Sequence, residues 1–306
     1  MHHLSSAAPT PLTEVSTSFE LKAIAPQSSG RAGFALTHAL PPLAWQLAFF
    51  VGPLLFLLVL TFWSVHNFRL EPAFEMGNWK RMLTQQHVWD TYLRTVMGAA
   101  VSTVLATVLA FPAAFAIAFR LSENARRACL FLLVVPFFTS YLVRVYSWQV
   151  FLSDEGLINS LLTMTGFETR RLLNTDLATQ IGYLTLSLPL VVLIQAMSLL
   201  LIDSKLIEAA RNLGCGPMRV VFAVIVPAAR VGITVAALFC FIFSFGDFVS
   251  PLYLGGGSSP TLSILIVDTT KAGQQWPRAA VLALLMISTL MAVAWVMTAF
   301  AYRKKT

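Results

Sequence analysis

Charged side chains are scarce in this sequence. They make up 11% of its 306 residues, whereas an average soluble domain has about 25%. Hydrophobic residues reach 57%. This balance argues against an ordinary water-soluble domain and favours a membrane protein. The net charge of +7 does not indicate a nucleic-acid partner, because the basic residues are spread over short loops and form no single basic module.

The sequence also lacks the patterns of a disulfide framework, a metal site or a nucleotide site. Its three cysteines, Cys129, Cys215 and Cys240, are isolated and without C-x-x-C spacing. The five histidines form no ligand pair at helical spacing. A phosphate loop of the form G-x-x-x-x-G-K-[ST] is missing, and the glycine cluster at 255–257 has no lysine. We therefore expect no metal and no cofactor on this chain, and no ATP binding by it.

What the sequence does contain is long apolar runs. Six stretches each reach the roughly 20 residues that a helix needs to cross a bilayer core. None alternates with a period of two as a barrel strand does, and backbone in lipid must satisfy its own hydrogen bonds. The sequence therefore predicts an all-α membrane protein with six transmembrane helices. The predicted spans are 43–64, 95–119, 127–150, 178–201, 231–254 and 280–302. Prolines within them mark expected kinks at Pro53, Pro112, Pro136 and Pro189.

The two ends of the chain are predicted to be tails around one membrane domain, residues 43–302. Residues 1–42 are rich in Ser, Thr, Ala and Pro and read as a flexible tail, and 303–306 form a short second tail. The first apolar run starts too late and is too long for a signal peptide. With the first tail inside, the inner segments hold twelve basic and five acidic residues, against eight of each outside. This bias predicts that both termini are cytoplasmic.

A polar interval separates the fourth and fifth apolar runs, and it contains the sequence EAARNLG at 208–214. Asp203 or Ser204 is a good N-cap for a short helix. Gly214 supplies a left-handed stop, and Pro217 suits the first position of a second helix. Three residues are expected to form the apolar face of the first helix: Leu206, Ala210 and Leu213. From the residues alone, the interval is either a helix–turn–helix that docks on a cytosolic partner or an amphipathic loop on the membrane surface.

The stretch EAARNLGCGPMRVVFAVIVP, residues 208–227, resembles the EAA loop of binding-protein-dependent ABC importers. The matching positions are Glu208, Ala209, Ala210, Leu213, Gly214, Phe222 and Pro227. The resemblance implies a permease subunit of the type I importer fold, with a coupling loop at 202–227 that sits in a groove of a separate ATPase. It implies that 208–214, including Arg211, transmit motion into the spans.

The same resemblance implies the other subunits of the transporter. The permease itself is not an enzyme, because ATP and Mg are held by the cytoplasmic ATPase subunits. A second, similar permease chain completes the pathway, and an extracytoplasmic solute-binding protein delivers the cargo. The expected location is the bacterial inner membrane.

Three further stretches resemble spermidine/putrescine permeases: residues 136–159, 245–257 and 274–280. The resemblance implies a small cationic cargo of the polyamine type. The chain departs from the family at two places, with Val231 in place of the proline of a Pro-Gly-Ile and Gln195 where a proline is common. Permeases for ferric iron, sulfate and amino-acid-like solutes share parts of the pattern, so these cargoes remain the alternative.

A polyamine pathway needs carboxylates or aromatic faces for its ammonium groups. Asp247 is the acid predicted to lie inside a span, which marks a functional site by default. The alternative is a structural ion pair between Asp247 and Arg144. The aromatic residues expected to line the pathway are Phe245, Phe248 and Tyr253, with Tyr141, Tyr146 and Trp148 near its outer entrance. The entrance set could equally be an interfacial aromatic belt.

Two other classes of membrane protein fit less well. A secondary transporter driven by an ion gradient is expected to have several buried ionisable residues and often an inverted repeat. This sequence is expected to have one buried acid and one buried arginine, and it has no obvious repeat. A receptor or a membrane anchor would leave Asp247 and the Gly214 turn without a purpose.

Overall fold

The computed structural model describes residues 38, 40–67, 69–257, 260–272 and 274–302. The tail predicted for 1–42 lies outside the described residues up to residue 37, and the tail predicted for 303–306 lies outside them entirely. The chain divides into two units, Met1–Pro53 and Leu54–Thr306. In the first unit the described residues belong mainly to the start of helix α1, and the second unit holds all the other elements.

Fourteen helices and one hairpin are defined in the described residues. In chain order they are α1 (Leu40–Leu60), β1 (Ser64–His66), β2 (Arg69–Glu71), α2 (Gly77–Thr84), α3 (Gln86–Phe119), α4 (Glu123–Val134), α5 (Tyr141–Leu152), α6 (Leu157–Met164), α7 (Asp176–Leu200), α8 (Ser204–Asn212), α9 (Pro217–Val220), α10 (Val226–Ala228), α11 (Arg230–Gly246), α12 (Val249–Tyr253), α13 (Leu262–Lys271) and α14 (Trp276–Tyr302). A 3-10 turn, Val135–Phe138, extends α4, and a π-helical turn, Val221–Ile225, joins α9 to α10. The strands β1 and β2 pair antiparallel, with Val65 opposite Leu70.

Four of these helices, α1, α3, α7 and α14, are individually long and apolar enough to cross a membrane. Two further crossings are bent: Glu123–Phe138 meets Tyr141–Met164 at 92°, and Pro217–Ala228 meets Arg230–Gly246 at 72°. Six crossings result when each bent pair is counted as one. The all-α membrane fold is therefore confirmed, with two of its spans broken.

The breaks correct two of the predicted spans. Residues 127–150 were expected to form one helix, but Pro136 lies in the 3-10 turn and Thr139 and Ser140 are extended before α5 begins. A proline has no backbone N–H to donate and its ring crowds the preceding turn, which explains why the regular α-helix ends at Val134 and continues only as a 3-10 turn. The predicted span 231–254 is interrupted at a different place from the 72° bend, which lies before it at Ala229: helix α11 ends at Gly246, because Asp247 is extended and caps the next helix with its side chain.

Helices α3, α7 and α11 pack against one another and form the centre of the second unit. Fully buried alanines line the contact: Ala106, Ala110 and Ala114 on α3, Ala196 on α7 and Ala236 on α11. Small side chains let helix backbones approach closely, which is how helices associate in lipid, where apolar burial alone gives little preference for a protein neighbour.

A buried polar cluster ties the same three helices together. Ser244 Oγ donates to Ser102 Oγ at 3.1 Å, and Cys240 Sγ donates to Ser187 Oγ at 3.3 Å. Interhelical hydrogen bonds of this kind contribute about 0.6–2 kcal/mol each in membrane proteins. All three cysteines of the chain are free, and Cys240 is the one that is buried.

Gln195 makes a second polar link between α3 and α7. Its side chain is fully buried, and its Nε2 donates to the Thr107 carbonyl at 3.2 Å. A glutamine keeps the backbone N–H that a proline would remove, so α7 continues through this point as regular helix. The departure from the family pattern at Gln195 therefore replaces a potential kink with a cross-link.

Gly182 sets how closely α12 approaches α7. A Cβ at Gly182 would overlap the side chain of Ser250 and lie 3.0 Å from Leu254 Cδ1. We expect Gly182→Ala to cost about 1–3 kcal/mol as overpacking and to lower the melting temperature of the purified transporter. Gly98→Ala is the matched control, because a Cβ there would meet its nearest neighbours at 3.7 and 3.9 Å. Equal melting temperatures for the two variants would contradict this packing.

Candidate functional site

The polar interval folds into two short helices joined by a sharp turn. Asp203 caps α8 by accepting a hydrogen bond from the Lys205 N–H at 2.9 Å. At the other end Gly214 has φ +81°, and its N–H donates to the Arg211 carbonyl at 2.9 Å. The Cys215 N–H donates to the carbonyl of Ala210 at 3.1 Å. These two bonds form a Schellman motif, so the glycine stop predicted from the sequence is confirmed as a structure.

The buried face of α8 is only partly the predicted one, because Ala210 is buried as expected but Leu206 and Leu213 are not. Ile207 and Ala210 are buried, whereas Leu206 is 53% exposed and Leu213 is 84% exposed. Spacings of three and four residues allow both sets, and the contacts of α8 with α9 and the turn Val221–Ile225 select the set that contains Ile207. The surface of the first helix consequently carries two large apolar residues that have no cover within this part of the chain.

The remaining predicted coupling residues are accessible. Glu208, Ala209, Arg211 and Gly214 are all exposed. In the second half, Pro217 occupies the first turn of α9 as predicted and Val220 is buried. The side chain of Phe222 is 69% exposed. The interval therefore presents a discontinuous apolar surface made of Leu206, Leu213, Met218 and Phe222.

A second candidate site lies where α11 ends. Asp247 is 7% exposed. Its Oδ1 accepts from the Val249 N–H at 2.8 Å, and its Oδ2 accepts from the Ser250 N–H at 3.3 Å. The carboxylate thus caps the free N–H groups at the start of α12, where the helix dipole also favours a negative charge.

Tyr141 from the start of α5 completes the shell of this carboxylate. Its hydroxyl donates to Asp247 Oδ2 at 2.5 Å and also shares a short hydrogen bond with Ser250 Oγ. The guanidinium of Arg144 lies 5.7 Å from the centre of the Tyr141 ring. The tyrosine therefore contacts both the buried acid between α11 and α12 and the nearby arginine on its own helix, α5.

The proposed ion pair between Asp247 and Arg144 is absent: among the described residues, the ion pair that forms is Arg127 with Glu123. Arg144 Nη1 donates instead to the Thr185 carbonyl at 3.1 Å. Pro189 lies four residues after Thr185 and has no N–H to bond that carbonyl, so the arginine occupies a position opened by the proline. The predicted structural ion pair of Asp247 with Arg144 was wrong, because Arg144 bonds helix α7 instead.

The predicted pathway aromatics separate into two groups. Tyr146 and Tyr253 pair with ring centres 5.0 Å apart and ring planes tilted by 56°, and Phe248, which follows Asp247 in the sequence, is exposed. Phe245 is fully buried and stacks on Phe241 at 5.4 Å, within the packing of α3, α13 and α14. Phe245 is therefore a core residue and not a lining residue.

Trp148 also belongs to packing, although it lies on α5 with the site tyrosines. It packs into a cluster with Val145, Leu152, Ala178 and Leu254, and its ring meets Phe151 edge to face at 6.0 Å. Tyr141, Val249 and Tyr253 belong to the same cluster, so Trp148 shares its packing with residues around the Asp247 carboxylate.

Sequence reasoning missed several residues that the structure brings to these sites. Ser250 bonds both Tyr141 and the Asp247 cap, and only its position three residues after an acid suggested it. Thr185 could have been found from Pro189, since a proline always leaves the carbonyl four residues earlier without its helical donor. A cavity of about 360 Å³ between α3 and α7 was not anticipated either. Its polar lining includes Arg94, Asp176, Gln180 and Tyr183.

The chemistry of these sites is binding chemistry. Asp247 is a preorganised carboxylate with hydroxyl and backbone donors, and its aromatic neighbours can face a cation. The described residues include no group of three or more His, Cys, Asp or Glu side chains that could hold a metal ion. The polar interval at 203–217 offers a surface for docking on another protein.

Known proteins resemble this chain over most of its length. Residues 102–306 match the family described as the binding-protein-dependent transport system inner membrane component. The spermidine/putrescine transport system permease protein PotB of Haemophilus influenzae is 32% identical over 160 residues, which cover 52% of this chain and 56% of that protein. PotB of Salmonella typhimurium strain SL1344 is 29% identical over 207 residues, covering 67% of this chain and 71% of the relative.

A solved structure shares the fold. It is the crystal structure of a bacterial ABC transporter involved in the import of the acidic polysaccharide alginate. The TM-score is 0.74 at 15% sequence identity, with 90% of this chain and 97% of that chain covered. At this identity the likeness shows the fold, which is that of a type I ABC importer permease. Because the family match covers well over half of the chain, this protein belongs to the inner-membrane components of binding-protein-dependent transport systems, as a multi-pass, non-catalytic permease subunit.

Proposed function

We propose that this permease imports a small cationic solute of the polyamine class, such as putrescine or spermidine, by ATP-driven alternating access. The likeness to spermidine/putrescine permeases is the observation that carries the substrate class. The buried carboxylate of Asp247, which Tyr141 contacts and the exposed Phe248 follows in the sequence, supports it, because a carboxylate with aromatic neighbours suits an ammonium group.

The coupling loop, residues 202–227, is the proposed contact with the ATPase subunits. Leu206, Ala209 and Leu213 are exposed on α8, and the Schellman turn at Gly214 fixes the direction of the second helix. ATP and Mg bind to separate cytoplasmic ATPase subunits. Closure of those subunits moves the loop as a rigid lever, and the motion enters the spans through α7 and the bent pair that ends in α11.

Two more partners complete the proposed transporter. A second, similar permease chain supplies the other half of the pathway, and an extracytoplasmic binding protein delivers the solute. Both termini of this chain are cytoplasmic, which puts the coupling loop on the same side as the ATPases. This orientation rests on the excess of basic residues in the inner segments.

Competition during uptake tests the substrate class. We expect proteoliposomes with the complete transporter and its binding protein to accumulate radiolabelled putrescine or spermidine only when ATP is present on the side of the membrane that the ATPase subunits face. Excess unlabelled polyamine should suppress uptake to background, because it competes for the same sites. Sulfate, ferric citrate and arginine in the same excess are the matched competitors. Suppression by one of these and not by polyamines would contradict the polyamine class while leaving the permease role intact.

A further inference from the structure

A second cavity lies between the coupling loop and the end of helix α3. Its volume is about 460 Å³. Residues from α3, α8, α9 and the turn Val221–Ile225 line it. It therefore lies between a transmembrane helix and the loop proposed to contact the ATPase subunits. On α8 the lining residues are Ser204, Ile207, Glu208 and Arg211. The outward residues Leu206, Ala209 and Leu213 take no part in the lining.

One wall of the cavity is an aromatic ladder on α3. Phe111, Phe115 and Phe119 follow one another at single-turn spacing, with ring centres 6.4 and 5.1 Å apart. Phe115 and Phe119 line the cavity, and Phe111 continues the same apolar surface deeper into the span. Val221 and Ile225 form the facing side. The cavity therefore has an apolar interior that is continuous with the surface of a membrane-spanning helix.

The polar rim of the cavity carries two arginines against one acid. Arg120 follows the last residue of α3, and Arg211 and Glu208 come from α8. Within the described part of the chain, the guanidinium groups of Arg120 and Arg211 make no hydrogen bond and no ion pair.

Neighbouring arginines already make the contacts that Arg120 could make at the end of α3. The terminal carbonyls of α3, those of Ile117 and Ala118, accept from Arg126, both at 3.1 Å. Arg127 is paired with Glu123. The end of α3 is thus already capped, and the positive charge of Arg120 is left to face the cavity.

We propose that this cavity binds an anionic phospholipid of the cytoplasmic leaflet, of the phosphatidylglycerol type. Two guanidinium groups and one carboxylate leave one net positive charge, which a phosphodiester neutralises. The glycerol hydroxyls of the headgroup can donate to Glu208, and one acyl chain can follow the ladder from Phe119 to Phe111. Basic pockets between helices at this membrane surface are the usual form of such lipid sites.

The site rests on the proposed orientation and on the coupling role of α8, and it extends both. A lipid held by Arg120 and Arg211 would join the end of α3 to the inner face of the coupling helix. The opposite face of α8 stays free for the ATPase. Lipid composition would then tune how firmly the loop is attached to the membrane domain.

Lipid retention by the complete transporter tests the site. The complex, with its partner permease and ATPase subunits, is placed in nanodiscs of phosphatidylcholine with added phosphatidylglycerol and then delipidated with detergent. Native mass spectrometry counts the phosphatidylglycerol that remains. We expect one tightly held molecule per copy of this chain. Arg120→Gln should weaken its retention about fivefold, since each arginine near an anionic headgroup contributes about that factor.

Arg127→Gln is the matched control, because it removes the same charge one helix away, where Glu123 already neutralises it. A photoreactive side chain at position 221 gives an independent readout that does not depend on the stability of any arginine variant. It should cross-link to phosphatidylglycerol. Cross-links to a protein subunit alone, or equal retention in the Arg120 and Arg127 variants, would overturn the lipid site.

Two further outcomes separate the sources of phosphate and the two proposals. Displacement of the lipid by millimolar glycerol phosphate or inorganic phosphate would overturn the lipid source and leave a site for free phosphate. A complex that retains no phosphatidylglycerol but still hydrolyses ATP in response to the binding protein would overturn the lipid site alone. A complex that retains the lipid but never responds to the binding protein would support the lipid site and count against the proposed function.

Discussion

Replacing Gly214 by proline is expected to abolish uptake while leaving the transporter assembled. Gly214 has φ +81°, and proline is fixed near −65°, so the variant cannot form the turn after α8. It also removes the N–H that bonds the Arg211 carbonyl. The core of the membrane domain lies elsewhere, in α3, α7 and α11. We therefore expect uptake at background level with ATP hydrolysis that no longer responds to the binding protein.

Gly216→Ala is the matched control for this variant. Gly216 lies two residues further on, has φ −66°, and would place a new Cβ in open space. Alanine is compatible with that backbone, so its uptake should equal that of the unmodified protein. Normal uptake by Gly214→Pro would contradict the coupling role of the turn. Equal loss in both variants would indicate that any change in this loop disrupts assembly.

Asp247→Asn is expected to reduce polyamine uptake by about 10–100-fold, because contacts with a charged partner contribute about 1.5–3 kcal/mol. The asparagine oxygen can still accept from the Val249 N–H, so the start of α12 should keep its cap. Basal ATP hydrolysis should change little, since the loop at 203–217 is untouched. Uptake is measured in proteoliposomes, with hydrolysis measured on the same preparation.

Asp268→Asn provides the matched control, because Asp268 is an exposed acid on α13. It makes the same chemical change without touching the buried shell and should leave uptake normal. If Asp247→Asn lost assembly and transport together, the carboxylate would be a structural cap and not part of the pathway.

The transmembrane organisation follows from the sequence because bilayer thickness and backbone hydrogen bonding leave few choices. Apolar runs of sufficient length predicted the helical class and the six crossings. The interruptions at Thr139, Ala229 and Asp247 did not follow from hydropathy, because the helices on both sides of each are apolar. Pro136 signalled the first break, but whether a proline bends a helix or ends it depends on the packing around it.

At the sites, helix caps and stops were predicted correctly from local sequence, whereas the directions in which side chains point were not. Caps and stops at Asp203 and Gly214 depend on a few neighbouring residues, so their spacing was sufficient. The buried face of α8 depends on what packs against it, and Ile207 replaced Leu206 there. In a helix that is apolar all round, periodicity cannot tell a core residue from a lining one, which is why Phe245 was misplaced.

The partner of Asp247 shows the same limit over a longer range. The sequence suggested Arg144 as the partner of Asp247. Because Pro189 in α7 leaves the Thr185 carbonyl without a helical donor, Arg144 bonds that carbonyl instead, and Tyr141 donates to the carboxylate. Both facts depend on how α5, α7 and α12 come together. Residue type identified the buried acid correctly, and only the folded chain identifies its shell.

Cross-linking from the exposed tip of α8 tests the central claim most directly. In a cysteine-free background, Leu213→Cys places a thiol on a side chain that is 84% exposed. It should cross-link to an ATPase subunit of the assembled complex, in a yield that changes with ATP, and resist an impermeant thiol reagent added from the periplasmic side. Labelling from the periplasmic side, with no cross-link to any nucleotide-hydrolysing subunit, would contradict the account.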